Sequence, residues 1–202
     1  MTGNMGNEVV VVKSNMIPVG VSARHVHLSR EDVDTLFGDG YELTVYRPLS
    51  QPEQYAANEK VNLVGPRGRI DGVRILGPVR SRTQVEVSMT DAIKLGVRPP
   101  VRDSGAIDGS ESITIEGPNG AVTIEQGVIL AQRHIHLHPD SAAELGVTDK
   151  QCVNVKTSGP RAVVFCNVLC RVSPSFTKEF HIDTDEANAA MLCTGDEVEL
   201  VK

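Results

Sequence analysis

Six histidines occur in the 202 residues, and four of them sit in two nearly identical pentapeptides, Arg24-His25-Val26-His27-Leu28 and Arg133-His134-Ile135-His136-Leu137. Alternate side chains of an extended strand share a face, so each His-x-His presents two imidazoles side by side. Neutral imidazoles so paired suit a divalent transition metal such as zinc. A lone His-x-His arises by chance on surface strands. Two copies, each preceded by Arg and followed by Leu, point to a duplicated site.

The duplication runs further. At the 109-residue offset from His25 to His134, Arg24/Arg133, His27/His136, Leu28/Leu137 and Leu36/Leu145 all match. A second echo aligns His136-Leu137-His138-Pro139-Asp140 with His181-Ile182-Asp183-Thr184-Asp185, and Glu86-Val87-Ser88-Met89-Thr90-Asp91 fits the same frame with a carboxylate in place of imidazole. Two equivalent triplets follow, His25/His27/Glu86 and His134/His136/His181. Three protein ligands leave a fourth position for water or substrate, and two such sites can act together on one phosphate or carbonyl. The plainer alternatives are a saturated metal that only staples the fold and, for His181, a core histidine. Three-and-three does not close two tetrahedra, which favours open sites. His138 has Ser29 as its repeat partner and reads as a helix-start residue; it and Ser22 are candidates only for supporting roles behind the ligands.

Arg74, Arg80 and Arg82 cluster ahead of Glu86. If Val79 through Ser88 is a strand, Arg80, Arg82, Gln84 and Glu86 share a face, and either Arg80 or Arg82 can aim a guanidinium at an oxyanion beside Glu86. An ordinary solvated arginine is the competing reading.

The elements that must position these groups are mostly strands. Glu8–Lys13 holds four successive valines, and Ile17 through Ser22 leads straight into the first His-x-His; β-branched runs favour extended backbone. Ser29 is a candidate N-cap of a two-turn helix, with Glu31 and Asp32 at its positive end, Val33 and Leu36 on its apolar face and Gly38 as its stop. Hairpins are predicted about Gly65-Pro66-Arg67-Gly68 (Val61–Val64 with Val73–Leu76) and about Gly117-Pro118-Asn119-Gly120 (Ile113–Glu116 with Val122–Ile124). These turns are not phosphate loops, since no Walker A or Gly-x-Gly-x-x-Gly sequence opens a helix. A helix capped at Thr90 follows the Val79–Ser88 strand, and a short capped helix is expected over Pro139–Val147. Strands at Val153–Thr157, Ala162–Val172 and Phe180–Asp183 precede a helix from Thr184 through Leu192.

Residues 38–58 break the pattern with Gly38, Gly40, Pro48, Pro52 and all three tyrosines, Tyr41, Tyr46 and Tyr55. His27 and Glu86 are 59 residues apart, His136 and His181 only 45, and this segment is the natural home of the 14 extra. It reads as an irregular insertion with at most one short hairpin: a surface loop, or a lid over the site.

The fold class expected from this texture is mainly β with short helices and an internal pseudo-repeat. The length allows one large domain or two small ones sharing a core. A net charge of −6 disfavours nucleic acid as a partner but leaves room for a local basic pocket. No run is long enough to span a membrane and no secretory leader is evident. The four cysteines lack Cys-x-x-Cys spacing and read as reduced, buried thiols of a cytoplasmic protein.

Ser22 through Leu28, Gln54-Tyr55-Ala56-Ala57, Leu76 through Ser81, Gln84 through Ser88, Ala131 through His136 and His181 through Ala190 together resemble the phosphate propanoyltransferase family over residues 17 to about 190. The resemblance implies two β-barrels capped by short helices, with a small insertion lidding the active site. On it, barrel 1 is expected from 16–23 plus 132–202, barrel 2 from 24–37 plus 59–131, the lid from 38–58 and an N-terminal extension from 1–15. It further implies a reversible phosphate acyltransferase that converts a short-chain acyl-CoA (propanoyl-CoA or acetyl-CoA) and phosphate to acyl phosphate and CoA. One zinc would take His25, His27 and Glu86, the other His134, His136 and His181, and Arg80 would hold the phosphate. A homodimer is expected, and the family's propanediol-utilising microcompartments bring shell or lumen proteins in as partners. Residues 1–15, short and Val-rich, differ from the amphipathic extension with which encapsulated members often begin. A dinuclear zinc hydrolase of a thioester or phosphate ester would use the same ligands with water as nucleophile, and a metal-stapled binding module would use them without chemistry.

Overall fold

The computed structural model describes residues 15–201. The four-valine strand expected near the start, and nearly all of the 1–15 extension, lie outside them. Among the described residues the chain runs through β1 (Met16–Ser22), β2 (His25–His27), α1 (Arg30–Phe37), β3 (Val45–Pro48), β4 (Tyr55–Val64), β5 (Arg69–Gly77), β6 (Gln84–Glu86), α2 (Met89–Leu95) and β7 (Val101–Arg102). It continues through β8 (Glu111–Glu116), β9 (Ala121–Ala131), β10 (His134–Leu137), α3 (Pro139–Leu145), β11 (Cys152–Lys156), β12 (Val164–Val172), β13 (Glu179–Asp183), α4 (Thr184–Ala190) and β14 (Glu197–Val201). The protein is mainly β, as the Val/Ile-rich runs require.

Two six-stranded barrels result. Barrel 1 closes in the order β1-β13-β10-β12-β11-β14. Barrel 2 closes in the order β4-β5-β2-β6-β9-β8, with β8 paired to both β9 and β4. The two rings carry the same pairing pattern. Each His-x-His strand lies between a parallel neighbour (β5 or β12) and an antiparallel one (β6 or β13). The antiparallel neighbour in turn runs parallel to β9 or β1. The halves are therefore a true structural repeat, and the repeat is interlocked. β1 belongs to barrel 1 yet leads into β2 of barrel 2; β9 belongs to barrel 2 yet leads into β10 of barrel 1. Both His-x-His segments thus begin where the chain crosses between barrels.

Each barrel has its own apolar core. Val26, Ile75, Val85, Ile115 and Val128 fill barrel 2, while Ile17, Ile135, Phe180, Val168 and Leu200 fill barrel 1. Val26 and Ile135, both fully buried, fix the His-x-His strands with the flanking imidazoles on the opposite face. The Gly-Pro turns prove to be packing devices. A Cβ on Gly65 would lie 2.3 Å from the Leu95 carbonyl at the end of α2, and one on Gly117 would lie 2.6 Å from the Leu36 carbonyl at the end of α1. Arg67 N–H and Asn119 N–H donate to those same carbonyls, at 3.0 Å each, so each hairpin tip caps a helix C-terminus.

Some expected elements are corrected. The strand read over Val79–Ser88 is only Gln84–Glu86. Pro78 has no N–H for a ladder, and the residues after it fold over the start of α1 instead: Arg80 N–H bonds Leu28 O at 2.8 Å, and Thr83 Oγ accepts from Ser29 N–H at 2.9 Å. The cap of α2 is Ser88, whose hydroxyl accepts from Asp91 N–H, not Thr90; Thr90 N–H donates across to Asp185 of α4 at 2.8 Å. Ser29 caps α1 as expected, and His138 takes the corresponding position for α3. The hairpin within residues 38–58 is β3 against β4, and β4 already starts at Tyr55. Only Cys170 of the four cysteines is buried; all four are free thiols.

Phe180 is fully buried against Phe165 and sits between Glu179 and His181, so its packing holds β13 in register. Phe180→Ala is expected to cost ~3–5 kcal/mol, read from the urea midpoint; a loss below ~1 kcal/mol would contradict this account of the barrel 1 core.

Candidate metal centre

Register, rather than sequence proximity, assembles the two triplets. His25 lies directly across from Glu86, and His134 directly across from His181. The second imidazoles follow suit, His27 opposite Gln84 and His136 opposite Glu179. Within each triplet one donor atom per residue falls within 4.8 Å of the others. Ring centroids are 4.9 Å apart for His25/His27 and 4.6, 5.1 and 4.7 Å for the three pairs of the second triplet. Both triplets line a single cavity of about 730 Å³ at the seam between the barrels.

The imidazoles are held with one nitrogen spoken for. The Nδ1–H of His25 donates to Ala23 O at 2.9 Å, that of His27 to Leu76 O at 3.1 Å and that of His134 to Gln132 O at 2.8 Å. In this tautomer each Nε2 carries a lone pair, the arrangement that backbone carbonyls behind a metal-binding histidine normally impose. In the second triplet His181 Nε2 lies 2.5 Å from the Glu179 carboxylate, and an Nε2–H donated to it puts the ring's lone pair on Nδ1. His136 is the informative case: both ring nitrogens are buried without a hydrogen-bond partner among the described residues. A buried imidazole with two unsatisfied nitrogens is costly unless something absent from the polypeptide meets one of them. The donors, three imidazoles in one triplet and two plus a carboxylate in the other, fit a divalent transition metal of the zinc type with an open position.

Electrostatics agree with that fit. Burial, reinforced by neighbouring imidazoles, pushes the pKa of His27 down to about 3, of His134 to about 4 and of His136 to about 2, so all three are neutral near pH 7. At His25 burial pulls the same way, but the Glu86 carboxylate, 3.5 Å from Nε2, outweighs it and raises the pKa. Burial likewise opposes charge on Glu86, yet His25 and a hydrogen bond from Ser104 hold its pKa well below the usual range. Glu86 Oε1 accepts from Gln84 at 2.6 Å and from Ser104 at 2.7 Å, leaving Oε2 toward His25.

The arginines separate cleanly. Arg82 is exposed and pairs with Asp108 at 2.7 Å, away from the cavity. Arg80 lines the cavity, and among the described residues its guanidinium has no hydrogen-bond or ion-pair acceptor. Burial lowers its pKa, Glu86 raises it and Arg171 lowers it further. The shared strand face that made Arg80 and Arg82 equivalent in the sequence does not exist. Arg74 is tied up instead, donating to Ala57 O at 2.7 Å beneath the Tyr46 ring.

All six expected ligands and Arg80 thus gather at one cavity, while His138 stays outside it as a helix cap. Sequence reasoning missed Gln84, Ser104, Arg171, Phe176 and Glu179. Gln84 and Glu179 were accessible in principle, because each precedes a triplet member by two residues on one strand face. Ser104 and Phe176 come from irregular segments with no periodic signal. Arg171, registered beside His136 and 3.3 Å from Asp103 of the other barrel, depends on β12 pairing that the sequence does not display.

Comparison with known proteins adds an independent line. The family model described as phosphate propanoyltransferase matches residues 18–193. A phosphate propanoyltransferase of Thermotoga maritima is 62% identical over 187 residues, covering 92% of this chain and 89% of its own. One from Priestia megaterium is 57% identical, with 91% and 85% covered, and one from Clostridioides difficile is 46% identical, with 98% of both chains covered.

Chelator-stripped protein is expected to bind two equivalents of zinc. His136→Ala should remove one and Glu86→Ala, which deletes a ligand, should weaken the other by more than the ~10–100-fold that loss of a hydrogen-bond partner behind a ligand costs. Mass spectrometric metal analysis after dialysis against zinc checks this; a single equivalent in the parent, or an unchanged count in His136→Ala, would overturn the two-site geometry.

Proposed function

The chain belongs to the phosphate propanoyltransferase family and is a transferase of the phosphate acyltransferase type; on that premise we propose that it converts a short-chain acyl-CoA and inorganic phosphate to acyl phosphate and CoA at a two-zinc site, reversibly. The observation that carries the reading is the meeting of two open His-rich triplets and an acceptor-free guanidinium in one cavity. His25, His27 and Glu86 would hold one ion, and His134, His136 and His181 the other. When bound, the pair supplies positive charge for phosphate, polarisation of a thioester carbonyl and affinity for a departing sulfur.

The chain's own residues do the rest. Arg80 is the group that receives phosphate: its fork of donors matches two phosphate oxygens, and burial strengthens the pairing. Arg24, Arg47, Arg74 and Arg171 also line the cavity; Arg24 is paired with Asp91 at 2.8 Å and Arg171 with Asp103 at 3.3 Å, so Arg47 and Arg74 join Arg80 as the cations without a carboxylate partner among the described residues that a substrate bringing several phosphates can meet. With phosphate oriented on Arg80, one of its oxygens attacks the thioester carbon. The new O–C bond forms, the C–S bond breaks, and its electron pair leaves on the CoA sulfur. Fixing both reactants in one cavity removes much of the entropic barrier to that attack. None of the four cysteines lines the cavity, so direct transfer to phosphate needs no thiol on the enzyme.

The proposed lid is 38–58, whose residues Tyr46 through Gln51 line the same cavity. The barrels are proposed as the two domains, 16–23 plus 132–202 and 24–37 plus 59–131. Propanoyl-CoA or acetyl-CoA as substrate, a homodimer and a setting in a propanediol-utilising microcompartment rest on the family resemblance alone. Among the described residues no helix is long and apolar enough to cross a membrane.

CoA release from propanoyl-CoA is expected to depend on added phosphate. Release without phosphate would make water the nucleophile and the protein a hydrolase, and no release at all would leave a binding module. Arg80→Ala should lower turnover by ~100-fold or more at unchanged metal content, the scale on which loss of a preorganised charge partner acts. Near-normal phosphate kinetics in that variant would remove Arg80 from the proposed role.

A further inference from the structure

One carboxylate at the cavity edge is not among the six proposed ligands. Glu179 stands on β13 opposite His136, is buried to 8% exposure, and belongs to barrel 1. Its Oε2 accepts from His181 Nε2 at 2.5 Å, from Gln51 Nε2 at 3.3 Å and from the Ser50 hydroxyl. Ser50 and Gln51 come from the insertion, which is rooted in barrel 2. Gln51 also grips the backbone beside Glu179 from both sides, its Nε2 donating to Thr177 O at 3.1 Å and its Oε1 accepting from Thr177 N–H at 3.2 Å.

Two further features mark this as a built contact. Gln51 is 3% exposed, although the neighbouring residues of β3 are all exposed. Gly20, on the adjacent strand β1, leaves the space in which the carboxylate sits: a Cβ there would lie 2.8 Å from Glu179 Cδ. A larger residue on β1 would drive the carboxylate off His181.

We propose that Glu179 is a positioning residue that clasps the 38–58 insertion to His181, so that closure of the insertion and metal ligation by the His134/His136/His181 triplet are coupled. The inference rests on the metal reading under Proposed function. By accepting the Nε2–H, Glu179 fixes the ring orientation and tautomer of His181 and leaves the lone pair on Nδ1. The same oxygen is held by the insertion, so a closed insertion steadies the ring and an open one releases it. Coupling of this kind is reciprocal: metal at the triplet must also favour the closed insertion. The other triplet lacks the device. Gln84 takes the position equivalent to Glu179, and its partners are Glu86, Ser104 and Gly105, none from the insertion.

The test uses full-length chain carrying His25→Ala, so that zinc titration of chelator-stripped protein reports the second triplet. Adding Glu179→Ala should weaken zinc binding ~10–100-fold. Adding Gln51→Ala, which leaves Glu179 and His181 in place, should weaken it at least ~5-fold. Amide hydrogen exchange across residues 49–54 should slow on zinc loading in the His25→Ala parent and lose that response in both double variants. Affinities within twofold of the parent, or insertion exchange that ignores zinc, overturn the proposal. Should Glu179→Ala fail to fold, Gln51→Ala decides by itself. A parent that takes up no zinc overturns the metal reading, and this coupling with it; a parent that binds zinc normally while Gln51→Ala changes nothing overturns the coupling alone.

Discussion

Four imidazoles buried at the seam of two barrels are the constraint on which the rest depends. Removed from water they cannot all carry charge: burial holds the pKa values of His27, His134 and His136 low, while at His25 the Glu86 carboxylate reverses the direction. Nor can they be left without partners, because an unsatisfied buried polar atom costs ~1–3 kcal/mol. Backbone carbonyls at Ala23, Leu76 and Gln132 satisfy one nitrogen of three rings and aim the other inward. The fold tolerates so polar a seam because each barrel has a separate apolar core to stabilise it.

The interlocked repeat explains why the two sites meet. A tandem duplication with self-contained barrels would put each His-x-His within its own domain, with no reason for the pair to face one another. Here the first strand of each half is lent to the other barrel, and the His-x-His follows at once. The crossings carry both metal-type triplets to one seam, where Asp103 of one half reaches Lys150 and Arg171 of the other and Thr90 reaches Asp185.

Within this symmetry the chemistry is unequal. At the position across from the first imidazole, one half has Glu86 and the other His181; two residues earlier the order reverses in character, with Gln84 in one half and Glu179 in the other. Each half thus holds one carboxylate, in the triplet itself in the first case and behind it in the second. The first triplet carries a formal negative charge and the second none, so the two would hold their ions with different strength and leave different charge at the open position.

The repeat and the two clustered triplets were legible in the chain because they depend on residue type and offset, which a linear sequence preserves. Strand and cap preferences at Ser29, His138 and the Gly-Pro turns were legible for the same reason: their causes act within a few residues. Spacing left the choice between Arg80 and Arg82 open, and only the family resemblance named Arg80. The geometry turned on Pro78 ending the ladder, which is local, and on Thr83 hooking onto Ser29 at the start of α1, a contact between residues 54 apart in the chain. Ser104, Arg171 and the grip of Gln51 on Glu179 were likewise decided only in three dimensions, since they join segments that share no period or spacing. The sequence by itself determined which atoms could bind a metal. Only the tertiary structure decided that both sets face one cavity, because facing is set by which barrel each strand joins, and strand pairing between distant segments leaves no local mark.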